Sequence, residues 1–282
     1  MTGFMKRSST GQRQRGLTLV ELMIAMTIGL VVITAIGNLF ISTNKSVTLG
    51  DALSRNQETG RFTLEYITNY ARLAGYSEDG TMPDIPLYVT SNHPSLSVDC
   101  TGADADACAA DDVTGIRGDR LALPYYASSR TLSDCTGGQA GGALAARYVV
   151  NVFWVNAEGV LMCRAFDGQT KAWLTTAASP ILTGIETMEV LVGVSPDEES
   201  FNVSRYVSIS DVINGGLNNQ VRALRVSVLV TSQEQDTNAE ALDTNKQVRT
   251  YAVLDKRLPD FEDGFLRHIF TTTIDFTNSR YN

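Results

Sequence analysis

From Leu22 to Asn44 the chain carries no charged residue. These twenty-three positions exceed the roughly 20 that a helix needs to cross a hydrocarbon core. No proline occurs before Pro83, so nothing in the run breaks a helix. A helix that is apolar on every side has no face for water and must be covered by lipid or by other helices. One residue at the mouth of the run departs from this rule. Glu21 ends the stretch Arg15-Gly16-Leu17-Thr18-Leu19-Val20-Glu21. A carboxylate at the centre of a span costs about 2.5–3.5 kcal/mol on insertion scales, so Glu21 needs a partner. Ahead of it stand Lys6, Arg7, Arg13 and Arg15 with no acid among them. By the positive-inside rule that leader stays in the cytoplasm, and everything beyond the span faces the other side.

Two ordinary readings of such a segment fit poorly. A secretory signal has an apolar core of about 7–15 residues followed by a small-residue cleavage site. Here the core is longer, and Ile41-Ser42-Thr43-Asn44 is a poor site for that enzyme. A plain single-span anchor needs neither Gly16 nor a carboxylate at position 21.

The combination of a basic leader, Gly16, an apolar run opening at Leu17 and Glu21 resembles the class III signal of type IV prepilins and type II secretion pseudopilins. The resemblance implies cleavage between Gly16 and Leu17 by a dedicated inner-membrane peptidase and N-methylation of Leu17. It implies that the apolar segment is kept as the spine of the mature subunit. Glu21, fifth after the cut, would meet the N-terminal amine of an adjacent subunit. Leu17 stands where most members have phenylalanine. Removing the leader would leave 19 basic against 31 acidic residues, too acidic a chain for generic binding to nucleic acid.

The organisation expected is a leader over 1–16, a transmembrane or filament-core half-helix over 17–41, an amphipathic half over 42–75 and a periplasmic β-rich headpiece over 76–282. Leu53, Gly60, Leu64, Ile67, Ala71 and Ala74 recur at helical spacing and need a covering layer, and Gly75 is a plausible stop. Residues 76–120 are rich in small and polar residues and read as a long loop region. Alternation then predicts strands over 121–126, 147–155, 160–166, 186–194, 221–231, 248–254 and 265–276, with a hairpin turn at 156–159. Residues 233–246 read as a polar loop. One long helix followed by successive strands gives an α+β fold, the helix packed on a mainly antiparallel sheet.

Cys100, Cys108, Cys135 and Cys163 all lie beyond the span, where an oxidising compartment permits up to two disulfides. Four cysteines allow three pairings and the sequence does not choose; we expect Cys100 with Cys108 and Cys135 with Cys163. The second would close a loop worth roughly 3–4 kcal/mol in the chain-entropy model. No Cys-x-x-Cys pair supports zinc. Asp99, Asp104, Asp106, Asp111 and Asp112 lack the spacing of a calcium loop and read as a solvated run. His268 alternates with Leu266, Phe270 and Ile274 and reads as a core or semi-buried histidine; Arg222 reads as a strand-edge charge. No catalytic constellation, metal or cofactor is expected.

Later features look like the PilW type of minor pilin: Gln57-Glu58-Thr59-Gly60-Arg61-Phe62, Asp134-Cys135, Leu161-Met162-Cys163-Arg164 and Val221-Arg222-Ala223-Leu224-Arg225-Val226. This implies a subunit that joins other minor pilins, primes the filament of major pilin and sits at or near its tip. It implies partners in the prepilin peptidase, the inner-membrane assembly platform and a tip adhesin, and roles in twitching, adhesion or DNA uptake. A J-like pseudopilin of a type II secretion system is the alternative on the same physics, and a membrane-anchored periplasmic enzyme the alternative of another class.

Overall fold

The computed structural model describes residues 16–77, 85–93, 96–127, 133–138, 147–232, 248–263 and 265–278. The chain divides into two compact units, residues 1–49 and 50–282. The polar loop expected over 233–246 lies outside the described residues.

The first unit contains the start of helix α1 (Leu19–Ala71). Among the described residues this is the one helix long and apolar enough to cross a membrane, its most apolar window having a mean hydropathy of 2.5. From 19 to 49 it measures about 46 Å at 1.5 Å per residue. Its leucines, isoleucines and valines are exposed, Ile33 at 68% and Phe40 at 65%. The hydroxyls of Thr27, Thr34, Thr43, Ser46 and Thr48 bond back to their own helix. Thr34 donates to the Leu30 carbonyl at 3.1 Å, Thr43 to Leu39 at 2.8 Å and Ser46 to Ser42 at 3.0 Å. Hydroxyls satisfied in this way can enter hydrocarbon, where nothing else would hydrogen-bond them.

The second unit opens with the last turns of α1. Asn56, Gly60, Thr63, Ile67 and Ala71 are its buried positions, a stripe at three-to-four spacing. Leu53, expected on that stripe, is 45% exposed. Asn56 lies inside instead, and its amide donates to the Leu266 carbonyl at 3.2 Å. Helical hydrogen bonding gives way after Ala71 to a turn that ends at Gly75, whose φ is +75°. Glycine adopts that left-handed geometry without steric cost. The Gly75 N–H then donates to the Pro124 carbonyl at 2.8 Å, handing the chain to the sheet.

Among the described residues thirteen strands follow. In the region expected to be loop, β1 (Ser91–His93) and β2 (Leu96–Val98) form a small hairpin. Next come β3 (Leu121–Ala127), β4 (Arg147–Val155), β5 (Val160–Asp167), β6 (Ala172–Trp173) and β7 (Ser179–Thr183). They make one antiparallel sheet in the order β3-β4-β5-β6, with β7 also on β5. Then come β8 (Ile185–Val194), β9 (Arg205–Val207), helix α2 (Ile209–Gly215) and β10 (Val221–Thr231). The set ends with β11 (Ala252–Val253), β12 (Lys256–Arg257) and β13 (Arg267–Asp275). The second sheet is antiparallel in the order β13-β10-β8-β9. The strand expected over 248–254 is cut short because Leu254 turns at φ +52°, leaving the two-residue pair β11–β12.

Both sheets and the end of α1 share one core, in which Ile67, Leu121, Phe153, Phe166, Met188, Val190, Val226 and Val228 are 1% exposed or less. Tyr66 and Tyr70 of α1 pack on Phe153, with ring centroids 6.2 and 5.7 Å away. Gly60 meets β13, where a Cβ would run into the Phe270 ring. Glycine at 60 is therefore a condition of close helix-to-strand approach, despite its low helix propensity.

Candidate functional site

The site starts from the residues ahead of α1. Gly16, Leu17 and Thr18 have no regular structure, and Leu17 is 79% exposed. The bond between Gly16 and Leu17 is thus open to an enzyme. A side chain at Gly16 would meet nothing within 4 Å, so packing within this chain does not demand glycine there. Gly29 and Gly37 are equally open.

Glu21 is engaged with its own helix. Its Oε2 accepts from the Thr18 N–H at 2.9 Å and from the Thr18 hydroxyl at 3.0 Å, while the Glu21 N–H donates to Thr18 Oγ1 at 3.2 Å. This is a capping box, the Thr-x-x-Glu arrangement in which two otherwise orphaned donors of the first turn are satisfied reciprocally. Thr18 carries as much of the geometry as Glu21. Its signal was present in the sequence, since threonine three residues before glutamate at the edge of an apolar run marks a helix start. Both side-chain contacts fall on one carboxylate oxygen, which leaves the other directed elsewhere.

The four cysteines form two disulfides. Cys100 joins Cys108 across a Cα separation of 5.7 Å, closing the loop after β2. Cys135 joins Cys163 of β5 across 6.2 Å. Around Cys135 the chain is fastened from several directions. Its N–H donates to Asn151 Oδ1 at 2.9 Å, and the Tyr66 hydroxyl of α1 donates to its carbonyl at 2.6 Å. The Tyr70 hydroxyl donates to the Asp134 carbonyl at 3.2 Å.

Several charged residues sit differently from expectation. The aspartate run is not uniformly solvated. Asp104 is 5% exposed and pairs with Lys171 at 2.8 Å, while Asp111 accepts from the Ile209 and Ser210 N–H groups at the start of α2. These partners lie about 70 to 100 positions away in the chain, beyond the reach of local pattern. His268 lies on the same side of β13 as Phe270, but near the strand's start where it is exposed, its ring 4.9 Å from that of Phe270. Arg267 beside it takes the inner place, pairing with Glu186 at 2.9 Å and with Asp263. Arg222 is 4% exposed and donates to the Glu198, Ser200 and Asn219 carbonyls, so it staples a loop onto β10 rather than lining an edge.

Asp112, Asp119 and Glu189 also gather, with Lys256 paired to Asp112. Burial lifts the Glu189 carboxyl to about 8 and the Asp119 carboxyl to about 6, above their ordinary values of 4.5 and 3.8. At Glu189 the negative charges of Asp119 and Asp112 act in the same direction and Lys256 opposes them; at Asp119 the charges of Asp111 and Asp112 add to burial, against the N–H groups of Asp112 and Val190. Between the ordinary and the raised values the folded chain holds protons that the unfolded chain has released, so stability falls as pH rises. In chelator-containing buffer the thermal midpoint should drop on the order of 5 °C between about pH 5 and pH 8. Scanning calorimetry of the parent and of Glu189→Gln checks this, the variant giving the flatter profile.

Two family models match the chain. One is described as Type IV Pilus-assembly protein W and spans residues 147–278, from the start of β4 to just past β13. The other is the prokaryotic N-terminal methylation motif over residues 11–37, which contains Gly16, Leu17, Thr18 and Glu21. Among solved structures, a type IV-like pilin from Thermus thermophilus is 16% identical, with 82% of this chain and 97% of that chain covered and a TM-score of 0.41. No curated protein gives a match.

Proposed function

We propose that this chain, which belongs to the type IV pilin superfamily and to its PilW type, is a minor pilin cut after Gly16, methylated at Leu17 and drawn from the inner membrane into a filament by Glu21. The observation that carries the reading is the coincidence of three features. An accessible Gly16–Leu17 bond lies ahead of a capped helix, that helix is exposed and apolar from 19 to 49, and the methylation motif falls on the same residues. Residues 17–41 would lie in the bilayer and then in the filament core, residues 42–75 would join the core to the headpiece, and 76–282 would stand in the periplasm. The two disulfides suit that compartment.

Its role on this reading is structural. The subunit joins other minor pilins, primes polymerisation of the major pilin and stays at or near the tip, where an adhesin could be held. Twitching, adhesion and DNA uptake would follow from the filament. The description of the matching family favours a pilus over a secretion pseudopilus.

The first test is at position 16. Because a side chain there meets nothing, Gly16→Leu should leave the fold and thermal midpoint unchanged. It should also leave the leader attached, visible as a heavier, membrane-retained precursor on immunoblots of fractionated cells. Normal maturation of that variant would contradict the proposal.

A further inference from the structure

We infer that Asp112, Asp119 and Glu189 form a binding site for a hard divalent cation, calcium by ligand class, in the headpiece. The three residues come from separate places: a turn after the Cys100–Cys108 loop, the approach to β3, and the middle of β8. Each offers a carboxylate oxygen, and these oxygens lie within 4.8 Å of one another. All donors are oxygen, with no histidine or thiolate among them, which selects calcium-like ions over zinc or copper.

An acidic cluster alone would not carry this conclusion. The deciding observation is Glu189. It is 2% exposed, its Oε1 accepts from the Thr187 hydroxyl at 2.7 Å, and its Oε2 is sealed from solvent without a hydrogen-bond partner. An ionised oxygen buried without a donor is costly, so the position calls for a proton or a metal ion. Its neighbours favour the ion. Asp119 is 3% exposed and held in place by the backbone: Oδ1 accepts from the Asp112 N–H at 3.0 Å, and Oδ2 from the Val190 N–H at 2.8 Å. Each of those oxygens has a second lone pair for a cation. Asp112 holds a left-handed backbone, φ +47°, a conformation aspartate tolerates better than most residues. Asp112 and Lys256 line two surface cavities, one reaching Asp119 and the other reaching Glu189, so each buried carboxylate borders a path from solvent.

Lys256 supplies one positive charge against three carboxylates, and it engages the outermost, Asp112. It therefore competes with a cation without replacing it. With three acidic ligands, affinity should fall in the range of extracellular calcium modules, about 10⁻⁴–10⁻³ M. This inference is independent of the assembly proposal, since it concerns the headpiece alone.

The test uses the full chain solubilised in detergent, freed of metal with chelator and titrated with calcium chloride in a calorimeter. One ion should bind per chain, and the thermal midpoint should rise on the order of 5 °C at about 5 mM calcium. Glu189→Gln, which keeps shape and removes charge, should weaken binding at least about tenfold and abolish the rise. Its midpoint in chelator should be no lower than the parent's, showing that it folds. Should that variant fail to fold, Asp112→Asn at the exposed rim must give the same loss of binding. Lys256→Met should tighten binding. No saturable heat up to about 10 mM calcium, or equal binding by parent and carboxamide variants, would overturn the inference in favour of a protonated Glu189.

Discussion

Glu21→Ala should leave a folded, membrane-inserted and correctly cleaved subunit that fails to enter filaments. Charge in hydrocarbon is the reason. Cleavage after Gly16 would create an ammonium at Leu17 on every subunit, and the neighbouring Glu21 would be its counter-ion when helices leave the bilayer. Removing one member of a buried ion pair costs about 3–5 kcal/mol, because the other is left uncompensated. At about 1.4 kcal/mol per tenfold, incorporation should fall by about 100-fold or more. The capping box complicates a single substitution, since alanine would also remove the carboxylate that accepts from the Thr18 N–H and hydroxyl, part of a feature worth about 0.5–2 kcal/mol.

Glu21→Gln separates the two roles. Glutamine satisfies the same capping box but carries no charge. If the carboxylate acts as counter-ion, Glu21→Gln should still lose incorporation by about 100-fold or more, with Glu21→Ala at least as defective, when filament and membrane fractions are compared by immunoblot. A Glu21→Gln subunit that assembles like the parent would reduce Glu21 to a helix cap. Thr18→Val makes the reciprocal change and should cost only the cap.

The second large effect is in the headpiece. Replacing Cys135 and Cys163 together by alanine should lower the thermal midpoint on the order of 10 °C. The bridge spans a sequence separation of 28, and releasing such a loop costs about 3.6 kcal/mol in the chain-entropy model. For a headpiece of this size each kcal/mol shifts the midpoint by about 2–4 °C. Cys100 and Cys108 are only 8 apart, so their removal should cost less, about 2.5 kcal/mol on the same model. Losing the longer bridge should also loosen the segment that takes the Tyr66 and Tyr70 hydroxyls, and with it the seat of α1. Thermal unfolding of the two double variants without reductant measures both. An equal or reversed order would show that Cys135 is held by its hydrogen bonds alone.

The parts of this molecule that were legible in sequence are those governed by local periodicity. The charge-free run marked α1, and strict alternation marked β4 and β10 at their observed bounds, because each of those strands has a valine-rich core face. The Asn156–Gly159 turn was readable for a similar reason: Gly159 takes φ +78°, and Asn156 Oδ1 accepts from the Val160 N–H at 2.8 Å. Helix α2 could have been found. Ser208 caps it through the Asp211 N–H at 3.1 Å, and Gly216 ends it at φ +62°. That signal is short and lies among polar residues, so it did not stand out.

What was not legible depends on distant partners. Glu189 occupies the side of β8 opposite Met188 and Val190, where alternation assigns a carboxylate to solvent. The approach to β3 covers that side as well, leaving Glu189 buried. Gly118, at φ +88°, allows the contact, since a Cβ there would lie 2.8 Å from Glu189 Oε1. Arg222 sits inside rather than at a strand edge for the same reason: carbonyls brought in by a loop turn an apparent surface charge into a buried staple. At the N-terminus the case is reversed. The motif at Gly16, Leu17 and Glu21 was plain in sequence, while the isolated chain shows only the cap and not the neighbour.

The central claim is that Leu17 becomes the charged end of the mature subunit, opposite a neighbour's Glu21. Mass spectrometry of the N-terminal peptide from purified filaments tests it most directly. The account predicts a peptide beginning at Leu17 and carrying one added methyl group. Filaments containing this subunit with its leader intact, or with a first residue other than Leu17, would contradict it.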